Sequence, residues 1–213
     1  MLERWKEALK NWRFTVSLIV TLMGLILFAR FLPYFFTEVL LPKVGRAMND
    51  PILNAFTPRD WSTEIFILIY SCVVLTILSN LPKPYVILLG LETYLLVNLL
   101  RLISLYTWTL EAPEGIIPLD DPLLSNFAYG QATYLKDLFF SGHISTLCVL
   151  FLIEQRRVLK YLILISTVTV AVFLAWQRVH YTFDMAAAPL VAWLAFRFFN
   201  WLNARLFREN LVG

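Results

Sequence analysis

Apolar residues fill six long stretches of this chain, separated by segments rich in charge or proline. A helix that crosses a bilayer needs about 20 mostly apolar residues. The pattern therefore predicts six spanning helices, at about Phe14–Phe36, Thr63–Leu81, Tyr85–Thr107, Ser141–Leu152, Val158–Gln177 and Tyr181–Leu202. The fourth stretch is short, and Leu138–Phe140 are expected to extend it backward. The expected fold is all-α, a single six-helix membrane domain over residues 1–213.

Composition supports a membrane protein. The chain is 59% hydrophobic and 15% charged, whereas soluble domains are about half apolar and about a quarter charged. The net charge of +3 is too small to indicate nucleic-acid binding. The charged N-terminus resembles the start of a signal sequence, but the apolar run after it is too long and lacks a small-residue cleavage site, so an uncleaved first span is expected. Cys72 and Cys148 lie in apolar runs and are expected to be free thiols.

Charge distribution predicts the orientation, because basic residues concentrate on the cytoplasmic side of membrane proteins. With the N-terminus inside, the cytoplasmic segments hold 11 of the 18 lysines and arginines but only 4 of the 15 acidic residues. Their net charge is +7, and the rest of the chain carries −4. Both termini are therefore predicted to be cytoplasmic. The basic residues counted inside are Arg4, Lys6, Lys10, Arg13, Lys83, Arg156, Arg157, Lys160, Arg197, Arg205 and Arg208.

This topology places the candidate site residues on one face of the membrane. The chain has two histidines, His143 at the start of the fourth span and His180 between the fifth and sixth. Both are predicted on the non-cytoplasmic side, which is periplasmic, extracellular or lumenal. The residues expected on the same face are Arg101, Lys136, Asp137 and Arg178. Ionisable groups at membrane depth are costly and usually functional.

Ser141, Gly142 and His143 form a candidate phosphate site. Serine is a favourable N-cap, and glycine lets backbone approach a ligand closely. The N-terminus of a helix presents unpaired amides and partial positive charge, which suit a phosphate. The alternative is a capped span with an incidental histidine.

Asp184 follows His180 by four residues, one helical turn along the same face. Its carboxylate can accept a hydrogen bond from one imidazole nitrogen, which leaves the other nitrogen as nucleophile or base. The alternative is a structural His–Asp pair at the membrane interface. Two such motifs on one face, which together use every histidine of the chain, favour a catalytic site.

These motifs resemble the type-2 phosphatidic acid phosphatase superfamily, specifically its sphingomyelin synthase branch. Residues 136–143, KDLFFSGH, are similar to a Gly-Asp-x-x-x-Ser-Gly-His motif, and HYTFD is similar to the second histidine motif. Residues 94–113, with Arg101, are similar to an upstream segment of that branch. The resemblance covers roughly residues 60–200.

Two departures from the phosphatase motifs bear on which class of phospholipid is the expected substrate. The chain has no Arg-Pro pair, and Phe173 and Leu174 stand where the phosphatases carry Ser-Arg ahead of the second histidine. A phosphate dianion is normally met by clustered or bidentate arginines, so their absence favours a phosphodiester lipid. The proline-rich motif of the sphingomyelin synthases is also absent, with Thr57–Asp60 in about its place, which leaves the head group and ceramide open.

The resemblance implies a mechanism that needs no metal and no cofactor. His180 would attack phosphorus, Asp184 would orient it, and His143 would protonate the leaving alkoxide of diacylglycerol and then activate an acceptor lipid alcohol. Asp137 would orient His143 or bind a head-group amine, and Arg178 has the alternative role of a head-group anchor. The residues expected to bind substrate are Arg101, Lys136, Asp137, Ser141, Gly142, Arg178 and Tyr181.

Three functions remain open from the sequence. The first is a lipid phosphotransferase that uses a phospholipid donor and a lipid alcohol acceptor such as ceramide. The second is a hydrolase, phospholipase C-like or a lipid phosphate phosphatase, and the third is a non-catalytic membrane transport or binding protein. Glu92, in the middle of the third span, is either functional or bonded to a neighbouring helix.

Overall fold

The computed structural model describes residues 1–55, 57–121 and 135–207, and its secondary structure in those ranges is helical. An isolated bridge between Arg46 and Leu110 is the one β pairing among them. The all-α prediction is therefore confirmed. The helices are α1 Leu2–Lys10, α2 Trp12–Tyr34, α3 Pro51–Asn54, α4 Ser62–Asn80, α5 Pro84–Thr107, α6 Gly142–Ile153, α7 Arg157–Trp176 and α8 Thr182–Phe207.

Five helical segments are long and apolar enough to cross a membrane, at positions close to those predicted. They are Trp12–Leu40, Ser62–Asn80, Pro84–Thr107, Arg157–Trp176 and Thr182–Phe207. The first is longer than predicted because α2 continues as the π-helical turn Phe35–Leu40. Large apolar side chains point away from the bundle, as Val20, Ile67 and Ile165 do at 58–63% exposure. Such faces suit a hydrocarbon environment.

The fourth predicted span, α6, is short. Its 12 residues correspond to a length of about 18 Å, less than the hydrocarbon thickness of about 30 Å. The predicted backward extension through Leu138–Phe140 is wrong. Side chains of α5 take the backbone carbonyls there: Ser104 Oγ donates to Phe139 O at 2.8 Å and Arg101 Nε donates to Phe140 O at 3.2 Å. Ser141 then caps the helix, because its Oγ accepts from the Ile144 amide.

Long-range hydrogen bonds hold the end of the bundle that carries the chain termini, called the terminal end below. There, the Trp5 indole donates to Leu81 O at 2.7 Å, and Arg13 donates to Leu206 O at 3.1 Å. Both described chain ends therefore lie at the same end of the bundle. Arg208 and Glu209, which the charge count includes, lie outside the described residues.

At the terminal end, α6 is held by its own C-cap residue. The Glu154 side chain is fully buried and accepts from Ser79 Oγ at 3.1 Å and from Asn80 Nδ2 at 3.0 Å, both on α4. It also accepts from the Arg156 amide at 2.7 Å, just before α7. The carboxylate is thus satisfied on several sides and ties three helices together.

The opposite end, called the histidine end below, carries the starts of α4, α6 and α8. The segment 41–55, called the capping loop, covers it. Backbone bonds from Arg46 N to Thr109 O and from Glu111 N to Arg46 O, both 3.0 Å, attach this loop to the chain that leaves α5. Gly45 packs so closely on Leu110 that a Cβ would lie 2.7 Å from its carbonyl carbon.

The core is centred on α6, which packs against α4, α5, α7 and α8. Ala188 and Ala192 of α8 are fully buried, and Leu147 of α6 belongs to the same cluster. Small residues let two helix backbones approach closely inside a membrane bundle. Close packing of α6 and α8 is what brings the two histidine segments together.

Candidate active site

The start of α6 lies below the surface of the histidine end. Because α6 is seven residues shorter than α4 and both end beside Glu154, its first turn lies deeper in the bundle than the start of α4. His143 accordingly meets Phe66, in the second turn of α4, edge to face with ring centroids 5.9 Å apart. The SGH motif is therefore a recessed helix N-terminus, walled by neighbouring helices.

Arg101 is the cation at this turn. It lies six residues before the end of α5 with 7% of its surface exposed, and its guanidinium pairs with Asp137. It also packs on Gly142, where a Cβ would lie 2.8 Å from Arg101 Cζ. Gly142 was expected to let a ligand approach the backbone closely. In the structure, the Arg101 guanidinium makes that close approach.

The second motif lies in the turn between α7 and α8. His180 precedes Thr182, the first residue of α8, so the predicted placement of His180 and Asp184 on one helical face is wrong. Asp184 nevertheless turns back toward the helix start. Its Oδ2 accepts from the Tyr181 amide at 3.1 Å and lies 3.4 Å from His180 Nδ1. The contact forms because a carboxylate in the first turn of a helix reaches the free amides there.

The two motifs meet. The imidazole rings of His143 and His180 have centroids 5.7 Å apart and planes inclined at 67°. The backbone joins the segments as well, because the Ser141 amide donates to Asp184 O at 3.3 Å. His180 and Asp184 are 1% and 0% exposed. Residues 37 apart in the sequence thus form one recessed His–His–Asp cluster.

Several polar atoms of this cluster have no hydrogen-bond partner among the described residues. They are His143 Nδ1, His180 Nε2 and Asp184 Oδ1, and all three are buried. A buried polar atom without a partner costs about 1–3 kcal/mol. Each of these atoms can be satisfied by water or by a bound group. His180 in particular has one nitrogen beside a carboxylate and the other unengaged.

Three of the predicted substrate-binding residues, Lys136, Arg178 and Tyr181, contact loops of the histidine end. Lys136 Nζ lies 3.2 Å from a Glu111 carboxylate oxygen and donates to Leu41 O at 3.1 Å. Arg178 donates to Glu114 O at 2.8 Å from a left-handed backbone conformation, φ 59°. Both cations are therefore engaged with loops of the histidine end.

Tyr181 is also engaged with these loops. Its hydroxyl donates to Glu111 O at 3.1 Å and accepts from the Met48 amide at 3.2 Å. Of the predicted substrate-binding residues, those that the structure places on the His143 turn are Arg101, Asp137, Ser141 and Gly142.

Asp50 was missed by the sequence analysis. Its carboxylate accepts from the Thr182 amide at 2.7 Å and from the Ile52 amide at 3.1 Å, so it caps both α8 and α3. Partial burial alone would raise the pKa of Asp50, but the hydrogen bonds from Thr182, Ile52 and Leu53 outweigh it and lower the pKa. Asp-Pro is a typical helix start, but nothing in the sequence links it to Thr182.

Gln177 was missed too. It is fully buried, and its Nε2 donates to Ser62 Oγ at 2.9 Å while its Oε1 accepts from the Trp61 amide at 2.8 Å. It thereby fixes the chain that enters the His180 turn to the start of α4. A glutamine at the end of an apolar run carries no sequence signal for such a role.

Glu92 has a neighbour on another helix. Asn203 Nδ2 of α8 lies 2.6 Å from Glu92 Oε2, and both side chains are buried. Of the two interpretations, the contact favours a bond between α5 and α8. No group of three or more histidine, cysteine, aspartate or glutamate side chains suited to a metal ion occurs in the part of the chain that the structure describes.

No protein-family model matches the chain, and no curated protein matches it.

Proposed function

We propose that this chain is an integral membrane lipid phosphotransferase. It moves a phospho-head group from a glycerophospholipid to a lipid alcohol, with ceramide as one candidate acceptor, through a phosphohistidine intermediate. The observation that carries the proposal is the His180 imidazole, with Nδ1 beside Asp184 and a buried, unengaged Nε2, 5.7 Å between ring centroids from the other histidine. The resemblance of the two motifs to the sphingomyelin synthase branch supports the same reaction.

In the first step, His180 Nε2 attacks the phosphorus of the donor. An N–P bond forms as the P–O bond to diacylglycerol breaks, and His143 supplies the proton that the departing alkoxide needs. Asp184 keeps the Nδ1 proton in place and stabilises the positive imidazole. Its own position is supported by the Tyr181 amide at 3.1 Å.

In the second step, His143 accepts the proton of the incoming hydroxyl. The acceptor oxygen attacks phosphorus, the N–P bond breaks, and His180 is regenerated as a neutral imidazole. When water takes the place of the lipid alcohol, the same two steps make the chain a hydrolase, phospholipase C-like in its products. Exclusion of water decides between these outcomes.

Charge at the site suits a phosphodiester. Arg101 is the buried cation on the His143 turn, and Asp137 offsets it. The first-turn amides of Gly142 and His143 add partial positive charge, whereas the Ser141 amide is taken by Asp184 O. A phosphate dianion normally requires more guanidinium groups than this, so the lipid phosphate phosphatase alternative is disfavoured.

The orientation belongs to the same proposal. With α6 as a short sixth crossing that is buried among its neighbours, both termini are cytoplasmic and the histidine end faces the opposite side. The concentration of lysine and arginine in the segments at the terminal end supports this arrangement. The active site then opens on the non-cytoplasmic leaflet.

The test is a lipid assay with purified protein. A phospholipid labelled in its head group and its acyl chains is supplied with and without ceramide, and diacylglycerol and the head-group product are measured. Release of diacylglycerol only with ceramide identifies a transferase, and release without acceptor identifies a hydrolase. We expect His180→Ala and His143→Ala to reduce turnover by about 10³-fold or more. Absence of turnover in wild-type protein, or turnover unchanged in His180→Ala, contradicts the catalytic proposal and favours a binding protein.

A further inference from the structure

The carboxylate of Asp50 links the capping loop to the His180 turn. Its Oδ2 accepts from the Thr182 amide at 2.7 Å, and its Oδ1 lies 3.2 Å from Thr182 Oγ1. The same Oδ1 accepts from the Ile52 and Leu53 amides at 3.1 and 3.4 Å. One carboxylate therefore caps two helices that are far apart in the sequence.

Thr182 lies midway between His180 and Asp184. Two successive amides there have carboxylate acceptors, since Tyr181 N donates to Asp184 and Thr182 N donates to Asp50. The first amides of a helix have no partner within the helix, and a helix end without a cap frays. Loss of Asp50 would thus free the turn that sets the direction of the His180 ring.

Asp50 is itself held by contacts that do not involve the histidines. The capping loop pairs with the chain after α5 through Arg46, and the Gly45 amide donates to the Glu111 carboxylate at 2.7 Å. The carboxylate is thus presented from an anchored segment. An anchored second layer of hydrogen bonds is what holds a catalytic side chain within a fraction of an ångström of its working geometry.

We infer that Asp50 is a positioning residue for His180, which keeps Nε2 directed at the position that the phosphorus occupies. The inference rests on the proposed function, in which His180 is the nucleophile. Asp50 makes no contact with the reacting atoms and acts through Thr182.

The experiment compares Asp50→Ala with Asn11→Ala. Asn11 caps α2 at the terminal end, where its Oδ1 accepts from the Arg13 amide at 3.1 Å, so the control removes one helix cap far from the histidines. We expect Asp50→Ala to lower kcat by about 10- to 100-fold with little change in KM, because a misplacement of about 1 Å costs that much. Asn11→Ala keeps its kcat.

The ¹⁵N spectrum of labelled histidine supplies a readout that does not depend on turnover. The chain has only two histidines, and His143→Ala assigns the signals. We expect Asp50→Ala to shift the His180 ring nitrogens and Asn11→Ala to leave them unchanged. Asp50→Asn has one acceptor oxygen for two helices. Its His180 ring-nitrogen signals and its kcat should therefore lie between those of wild type and Asp50→Ala. Where Asp50→Ala fails to fold, Asp50→Asn supplies the comparison.

Each outcome decides one claim. An unchanged His180 spectrum in the Asp50 variants overturns the inference, and so does a loss of activity no larger than that of Asn11→Ala. A shifted His180 spectrum in a protein whose wild type shows no turnover upholds the positioning by Asp50 and overturns the proposed function.

Discussion

At the scale of single residues, the site depends on how closely Arg101 approaches the SGH turn. The guanidinium lies against the Cα of Gly142, donates to Phe140 O and pairs with Asp137. Three contacts fix one cation beside a helix N-terminus, and glycine is the residue that leaves room for it. The close packing of Arg101 therefore explains why glycine stands at position 142, without any bound ligand.

Gly142→Ala tests that reason. The added Cβ would lie 2.8 Å from Arg101 Cζ, among planar and bonded atoms that cannot move aside freely. We expect a loss of about 1–3 kcal/mol of stability and a fall in phosphotransfer of about tenfold or more, measured by thermal unfolding in detergent and by the lipid assay.

Gly90→Ala is the matched control. Its Cβ would also meet a neighbour at 2.8 Å, but that neighbour is Cδ1 of Ile153, the end of a flexible side chain. It should retain activity. Equal activity of Gly142→Ala and wild type would show that the close contact between Gly142 and Arg101 is not needed for the reaction.

The residues of the candidate site could be predicted from the sequence to different degrees. His143, His180 and Asp184 are rare ionisable groups in an apolar chain, so they are conspicuous without any structure. Asp50 and Gln177 are not, because their importance lies in hydrogen bonds to Thr182 and Ser62, more than 100 residues away. Ordinary residue types in loops acquire such roles only through tertiary contacts.

At the scale of elements, the length of α6 sets the depth of the site. Hydropathy located this helix, but the extension expected through Leu138–Phe140 is wrong, although these residues are as apolar as the helix itself. The side chains of Ser104 and Arg101 take the carbonyls of Phe139 and Phe140. A competition for backbone hydrogen bonds between distant segments cannot be seen in a local pattern.

The contacts of Glu111, where the capping loop meets the chain after α5, predict that the stability of the protein depends on pH. Glu111 accepts from the Gly45 amide at 2.7 Å. That bond lowers the pKa of the Glu111 carboxyl against the opposing effect of partial burial, and Lys136 lowers it further. A group with a lowered pKa contributes stability above its unfolded pKa of about 4.3, and the contribution is lost as pH falls through the folded pKa.

We therefore expect wild type to have a higher Tm than Glu111→Gln at pH 7, and the difference to vanish as pH falls from about 5 to about 3. Thermal unfolding in detergent over that range measures it. Glu114→Gln, an exposed carboxylate of the same segment, should have a smaller effect at pH 7. A Tm difference that does not depend on pH would contradict an electrostatic role for Glu111.

At the scale of the whole molecule, the bundle has one end that carries the termini and one that carries the histidines. The interior contains polar bonds between helices, such as Glu92 to Asn203 and Glu154 to Asn80. Such bonds are needed because a polar group inside a membrane has no water to satisfy it. They fix the helices relative to one another and so hold the two motifs together.

The proposed orientation is tested with single cysteines. Cys72 and Cys148, both free thiols, are first replaced by alanine. Val44→Cys, in the capping loop at 93% exposure, and Leu2→Cys, at the terminal end at 69% exposure, are then introduced separately. In sealed cells we expect a membrane-impermeant thiol reagent to label Val44→Cys, and to label Leu2→Cys only after permeabilisation. The reverse pattern would place the active site on the cytoplasmic side.

The sequence by itself determined the helical class and the approximate position of each apolar helix, and it singled out His143, His180 and Asp184 as candidate site residues. These follow from composition and from periodic patterns, which are local. The tertiary structure decided that His143 and His180 face each other, that Arg101 rather than Lys136 or Arg178 lies on the SGH turn, and that Asp50 caps the His180 segment. These depend on which helices pack together and which carbonyls remain free, and both are properties of the whole chain.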